Sequence, residues 1–353
     1  MSQLPAPVRA RSLNQGSVNL MSGVTVIVPN WNRRDLLELV LRRLGAQTYP
    51  IAEVIVVDNG SRDGSVQAAE NAGARVIQMG RNAGFSGAVN RGIEETKTDL
   101  VAILNNDVDP APDWLERLAR AMREPRVWFV TGKLRSARRP ESLDGTFDTF
   151  CRGACAWRAG HGRPDGPLWN RPRWIRFAPF TATLFRTALF HKVGGLDERF
   201  TSYLEDMDFC LRCAEHGCFG LYAPSAVATH EGSATLGTWH KHIVRLIARN
   251  QVLLVAKHYS PRDLLRYGWP MLVGQALWGA LAITHGRPLS FLRGKIEGLL
   301  MFWPLRREIA RNGGWPKDLS TIVEQSESEI YHLQRKSGFD LYWRLYFALT
   351  SLT

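Results

Sequence analysis

VTVIVPNWNRRDLLELVLRRLGAQTYPIAEVIVVDNGS, residues 24–61, decides the fold. It opens on Val24–Pro29, a short apolar run without alternation, which is the pattern of a buried strand. Leu36, Leu37, Val40, Leu41 and Leu44 then recur at helical spacing. A second apolar run, Glu53–Asp58, ends in the turn residues Asn59-Gly60-Ser61.

The same alternation continues outward. A helix is expected from about residue 63 to 72, a strand over Ala74–Met79, and a helix from Ser86 to Glu95. A strand over Asp99–Asn105, a helix over Pro112–Met122 and a strand over Val127–Gly132 follow. Strands alternating with helices predict an α/β fold with a mostly parallel sheet and helices on both faces. Ligands bind such sheets beyond the C-terminal strand ends. Here the first four ends lead into Pro29-Asn30, Asp58-Asn59, Arg81-Asn82 and Asn105-Asn106-Asp107.

Residues 135–178 are rich in Arg, Pro, Gly and Trp and show little period, so they read as a long loop or lid. Order returns over 186–232, with a helix near Ala188, a turn at Gly194-Gly195, a helix from Glu205 to His216 and short strands to His230. Residues 238–258 and 264–310 carry further helical patterns. The expected organisation is a disordered tail at 1–22, an α/β domain at 23–237 and a helical region at 238–353. Residues 1–22 lack the apolar core of a signal peptide.

The formal charge of the 353-residue chain is +12. That excess suits nucleic acid, anionic lipid or phosphorylated substrates, and bears on partners rather than on fold. No nucleic-acid motif accompanies it, so no nucleic-acid partner is expected. Residues 241–320 hold 13 Lys or Arg against 4 Asp or Glu, together with Trp269, Trp278, Trp303 and Trp315. Basic plus aromatic reads as an anionic membrane surface. Tyr267–Thr284 has no charge but contains Pro270 and Gln275, which favours a helix lying in the membrane plane over one that spans. Five cysteines, an odd number, argue against a disulfide framework. Cys210 and Cys213 fall inside a helical pattern without a knuckle turn, so zinc is not expected there either.

Four constellations carry chemistry. In LNNDVDP, residues 104–110, Asn105, Asn106, Asp107 and Asp109 follow a strand. A carboxylate there can hold Mg²⁺ or Mn²⁺ against a diphosphate, and a bland turn is the alternative. In GGLDERFTSYLEDMDFCLR, residues 194–212, Glu205, Asp206 and Asp208 cluster at a helix start. One of them suits a general base, although capping explains one acid of the three. His230 closes LYAPSAVATH and can ligate a divalent ion. Pro29, Asn30 and Asn32 in VPNWNR, Asp58 and Asn59 in VVDNGS, and Asn82 in RNAGFSGAVNRG can meet a nucleotide.

Taken in order, VPNWNR, VVDNGSRDGS, RNAGFSGAVNRGI, LNNDVDPAPDWL, VGGLDERFTSYLEDMDFCLR and HEGSAT resemble glycosyltransferase family 2, nearest its bacterial rhamnosyltransferase-like branch. The resemblance is strong over residues 23–235 and weaker to about 305. It implies a GT-A fold and transfer with inversion at the anomeric carbon. By resemblance Asp206 is the base with Glu205 beside it, and Asp107 with His230 holds the divalent cation. Pro29, Asn30, Asn32, Asp58, Asn59, Asn82, Asn105 and Asn106 then line the site of a dTDP- or UDP-linked sugar. The implied acceptor is a glycan or a lipid-linked glycan, used in cell-surface polysaccharide synthesis at the cytoplasmic face of the membrane. Relatives often have a Gly-containing segment at 178–186, where Thr181 and Thr183 stand here, so the donor pocket is expected to differ. The competing readings are a sugar-nucleotide synthesising transferase, which lacks its Gly-rich loop in VPNWNRR, and an inactive, membrane-associated nucleotide-sugar-binding homologue.

Overall fold

Val24, Val26 and Val28 fill one hydrophobic core and Ile27 another, so the first strand is buried on both faces. The apolar run without alternation has this cause. The computed structural model describes residues 23–232 and 239–350. The expected tail at 1–22 and the expected boundary at 237–238 lie outside the described residues.

Strands β1 (Val24–Asn30), β2 (Ile51–Asp58), β3 (Arg75–Gln78) and β4 (Leu100–Leu104) pair in parallel in the order 3-2-1-4. They alternate with α1 (Arg34–Gly45), α2 (Ser65–Asn71) and α3 (Gly84–Glu94). The sheet grows one way from β1 and then returns to its other side at β4. A crevice therefore opens at the C-terminal ends of β1 and β4. It continues through β5 (Val108–Pro110), α4 (Trp114–Ala121) and β6 (Val127–Ser136).

Residues 135–178 are not a lid. They form β7 (Leu143–Gly145), β8 (Asp148–Phe150), β9 (Ala156–Arg158), a 3₁₀ turn at Pro167–Trp169 and β10 (Arg173–Ile175). Phe147, Phe150, Trp157, Trp169 and Phe177 are buried in the core. Strands of three residues are too short to display a period, which is why the sequence reads as irregular.

A second correction concerns the sheet. The strand expected fifth is β6, and it does not pair with β4. Strand β11 (Ala182–Arg186) lies between them, antiparallel to both. The sheet is mixed, though of the eight strands on its main path only β10 and β11 run against the rest. Thr183 sits wholly inside this sheet and donates to Pro179 O at 2.6 Å, so its hydroxyl is not in the donor pocket. After α5 (Thr187–Val193) and α6 (Glu205–Glu215), β12 (Phe219–His230) runs parallel to β6. Pairing of β5 with β12 sets Val108 opposite His230.

The remaining helices are α7 (Lys241–His258), α8 (Pro261–Thr284), α9 (Pro288–Arg311), α10 (Leu319–Ser337) and α11 (Leu341–Thr350). Ser260 and Asp263 form a capping box at the start of α8. Helix α9 lies close on α7 at Gly294 and Gly298, where a Cβ would meet Arg245 O at 2.2 Å and Arg249 O at 2.8 Å. These helices do not form a separate unit. Leu253, Tyr259 and Tyr346 share one core with Ile27 and Phe209. The turn between β8 and β9 is gripped by α10 and α11: Arg152 pairs with the wholly buried Glu327, Phe150 N–H donates to Ser326 Oγ, and Gly153 N–H donates to Tyr346 Oη. The division at residue 238 thus follows chain order and not packing. Among the described residues no helix is long and apolar enough to cross a membrane.

Candidate active site

The ends of β1 and β2 are fastened to each other before any ligand arrives. Asp58 Oδ2 accepts the N–H groups of Gly60 and Ser61 at 3.1 and 2.9 Å, and Asn30 Nδ2 lies 3.5 Å from its other oxygen. Asn30 Oδ1 accepts from Asn106 Nδ2 at 2.7 Å, which ties β1 to the loop after β4. Asn32 has a positive φ of 51°, which Asn tolerates, and its Oδ1 caps Arg62 N–H. Asn59 bridges Ala83 N–H and Gly84 O, while Asn82 Oδ1 holds Gly84 N–H at 2.9 Å. Asp58, Asn59 and Asn82, expected to touch the donor, thus act first as fasteners of their own loops. Pro29 continues β1 in register with Val57. Asp109 turns away and pairs with Arg43 at 2.7 Å.

Asp107 and His230 meet. His230 Nε2 is 3.2 Å from Asp107 Oδ1, and its Nδ1 is 2.8 Å from Asp144 Oδ2. Burial disfavours the imidazolium, but the hydrogen bonds to Asp107 and Asp144 outweigh it and push His230 up to about 9. Burial likewise opposes the charge of Asp144, yet His230, with Arg158 and His161 nearby, holds it at about 2. Asp144 therefore fixes the ring so that Nε2 faces Asp107, as carboxylates do behind metal-bound histidines. Once a cation displaces the imidazolium proton, one oxygen and one nitrogen suit Mg²⁺ or Mn²⁺, which complete their shells with substrate phosphates and water. Among the described residues no group of three or more His, Cys, Asp or Glu could hold a metal alone. The buried Asn105 Oδ1, two residues from Asp107, has no hydrogen-bond partner.

The three acids at the start of α6 have three different environments. Asp208 is wholly buried, lies within 3.0 Å of Lys257, His258 and Arg212, and is held well below the usual carboxylate range despite burial. It fastens α6 to α7. Glu205 is buried with Oε2 unpartnered, and burial with the neighbouring Asp206 pushes its carboxyl well up. Asp206 is only partly buried. Desolvation and Asp148 raise it, Arg158 pulls it back, and it settles at about 7. A carboxylate near 7 takes and returns protons at neutral pH.

The backbone before this helix is strained. Thr201, Tyr203 and Leu204 have φ of 60°, 70° and 65°, at about 1–3 kcal/mol each for residues other than glycine. Helix α7 holds them there. The amide nitrogen of wholly buried Asn250 lies 3.0, 3.0 and 2.6 Å from the carbonyls of Phe200, Ser202 and Tyr203. Arg249 donates to Arg199 O and Phe200 O. From the other side Ser86 N–H donates to Thr201 O at 2.9 Å, and a Cβ on Gly84 would meet that oxygen at 2.6 Å. Tyr203 links the two acidic ends: burial, then Glu205 and Asp107, push its hydroxyl up to about 12.

Sequence reasoning missed Asp144, Asp148, Arg158 and Asn250. Arg158 lies 3.1 Å from Asp148 and 3.7 Å from Asp144, and it also acts on Asp206, so one guanidinium spans both ends of the crevice. The first three lie in the supposed lid. A usable signal was available: Asp144 and Asp148 flank the buried Phe147, with Arg158 across the hairpin at the register Asp148↔Arg158.

The profile described as Glycosyl transferase family 2 matches residues 25–194. The N-acetylglucosaminyl-diphospho-decaprenol L-rhamnosyltransferase of Mycobacterium tuberculosis is 30% identical over 60% of this chain and 77% of its own length. The pre-mycofactocin glycosyltransferase of the same organism is also 30% identical, over 61% of this chain and 44% of its own length. Among solved structures, the mannosyltransferase PcManGT from Pyrobaculum calidifontis with GDP-Man and Mn²⁺ has a TM-score of 0.50 at 17% identity, covering 92% of this chain and 86% of its own. GalNAc-T7 with UDP, GalNAc and Mn²⁺ has a TM-score of 0.59 at 14% identity, covering 91% and 59%. Those two likenesses carry the GT-A fold. With a family profile over the sheet and a relative matched over most of its length, the chain belongs to glycosyltransferase family 2.

Proposed function

We propose that this glycosyltransferase inverts the anomeric centre of a dTDP- or UDP-linked sugar, rhamnose among the candidates, and passes it to a hydroxyl of a lipid-linked or other glycan. One observation carries the reading: Arg158 acts both on Asp206, a carboxylate near 7, and on Asp144, which backs the Asp107–His230 pair. In an inverting transfer the acceptor oxygen forms a bond to the anomeric carbon while the bond to the diphosphate oxygen on the opposite face breaks. Asp206 takes the proton of the attacking hydroxyl. Asp107 and His230 would hold Mg²⁺ or Mn²⁺, which supplies charge neutralisation for the departing nucleotide diphosphate. Arg158 and Asp148 set the basicity of Asp206.

The decaprenyl-diphosphate substrate in the relative's name supports an acceptor carried on lipid. The basic stretch 241–320 supports work at the cytoplasmic leaflet, in cell-surface polysaccharide synthesis.

The test is transfer from UDP-, dTDP- and GDP-sugars with Mg²⁺, Mn²⁺ or EDTA, with the product anomer assigned by NMR. Inverted product that requires the cation is expected. Retained configuration, or full activity in excess EDTA, would overturn the mechanism.

A further inference from the structure

We propose that the outer faces of α8, α9 and α11 form one platform that docks on an anionic phospholipid surface, an assignment that rests on the lipid-facing reading above. These helices are apolar on their outer as well as their packed faces: Tyr267 and Val273 of α8 and Trp343, Tyr346 and Phe347 of α11 are buried in the core. The packed side of α9 carries Gly294 and Gly298, while Ile296, Leu300 and Trp303 face outward. On α8, Leu265, Trp269 and Leu272 are exposed at successive helical turns, and Leu265 is 87% exposed. On α11, Leu341, Leu345 and Leu349 do the same. A helix on the surface of a water-soluble domain carries polar residues on its outer face. Contiguous apolar surface of this kind marks an interaction site.

The three stripes are locked together. Trp269 Nε1 donates to Leu349 O at 2.9 Å, joining α8 to α11. Trp278 stacks on Phe291 at 5.9 Å, joining α8 to α9. Charge chooses the occupant. Arg262, Arg307, Arg311 and Arg344 are exposed and make no ion pair among the described residues, whereas Arg266 and Arg293 are paired with Glu324 and Glu297. A second copy would bring an equally basic rim and be repelled. An anionic leaflet matches both the apolar stripes and the free arginines.

The platform also sits near the chemistry. From the inner face of α8, Gln275 donates to Gly153 O at 3.0 Å, at the tip of the β8–β9 turn. The strands of that hairpin carry Asp148 and Arg158, which act on Asp206. One helix diameter, about 10–12 Å, and five residues of hairpin from Gly153 to Asp148 or Arg158, at most about 17 Å, lead from the lipid to the acid site.

The experiment is co-sedimentation of the full chain with vesicles of phosphatidylcholine alone or mixed with phosphatidylglycerol, at low salt. Binding is expected to the mixed vesicles, with Trp fluorescence quenched by brominated lipid. Leu300→Ser with Trp303→Ser changes two exposed side chains and is expected to keep the wild-type melting curve while lowering partition at least about tenfold. Arg262→Glu with Arg307→Glu and Arg311→Glu is expected to lower it on the order of a hundredfold, and only on anionic vesicles. Wild-type protein left in the supernatant, or either variant binding as wild type, would overturn the proposal. So would self-association that the serine variant abolishes without any vesicle binding. Failed docking with intact transfer to a water-soluble acceptor removes the platform alone. Loss of all transfer by vesicle-bound protein removes the mechanism alone.

Discussion

The two acidic ends of the crevice are held by opposite means. Asp107 and His230 stand at the close of ordinary strand pairing, β5 against β12, and one carboxylate behind the imidazole orients the pair. Asp206 follows three residues of unfavourable backbone, pinned by a helix more than forty positions later in the chain. The first end is rigid through regular structure. The second is rigid only through its clamp. Relaxed geometry is therefore available to the base and not to the cation site.

The largest effect expected is from Asp206→Asn, which removes the proposed proton acceptor. Transfer should fall about 10²–10⁴-fold with nucleotide affinity nearly unchanged, measured by single-turnover kinetics and calorimetry. A near-wild-type rate would remove Asp206 from the mechanism. Asp107→Ala attacks the other end. Its rate loss, on the order of 10²–10³-fold, should come with weaker donor binding, because the proposed ion would join protein and phosphates. If Asp206→Asn weakened donor binding as much as Asp107→Ala, the two ends would not be functionally distinct.

Asn250→Ala tests the clamp. Releasing the carbonyls of residues 200–203 should lower kcat about 100-fold, as displacement of a reacting group by an ångström does. KM for donor should change little, and the Mn²⁺ dependence should stay wild-type. An equal loss in donor affinity would mean that the clamp serves the whole crevice. Asp144→Asn should weaken cation affinity about 10–100-fold, read as a shift in the Mn²⁺ activation curve, with activity restored at saturating ion.

The smallest effect is on pH. With Asp206 at about 7, kcat/KM should fall with an acid limb near 7, approaching about tenfold per unit below it. The folded value lies above the ordinary 3.8, so the folded protein holds this proton more tightly than the unfolded chain. Stability contributed by the protonated group is lost as pH rises from about 4 through 7. Asp206→Asn should therefore raise the melting temperature at pH 8 relative to wild type, and a fall there would contradict the unfavourable charge.

Legibility followed periodicity. Over residues 24–104 each strand and helix is long enough to show its period, and the crevice-forming loops could be read from where the periods stop. Asp107, His230 and Asp206 were singled out because their motifs occur in order, and the structure brings Asp107 and His230 together. Asp144, Asp148 and Arg158 were not, because three-residue strands carry no period and their aromatic neighbours looked like loop composition. Asn250 sits in an unremarkable helical pattern, and its value arises from carbonyls nearly fifty residues earlier. Asp208 looked like part of the catalytic cluster because spacing cannot tell which face of α6 meets Lys257. No strand was expected where β11 lies: ATLFR is only five residues long and follows closely on the stretch read as a loop.

The grip of α10 and α11 on the β8–β9 turn bears on recombination. A chimera that exchanged the helices beyond residue 238 for those of another transferase would orphan Glu327's partner Arg152 and the backbone of Phe150 and Gly153. The smallest exchangeable block therefore includes residues 148–158, which carry Asp148 and Arg158 with them. Whatever the helices dictate about where the enzyme works, they cannot be transplanted without also transplanting part of what sets the strength of its base.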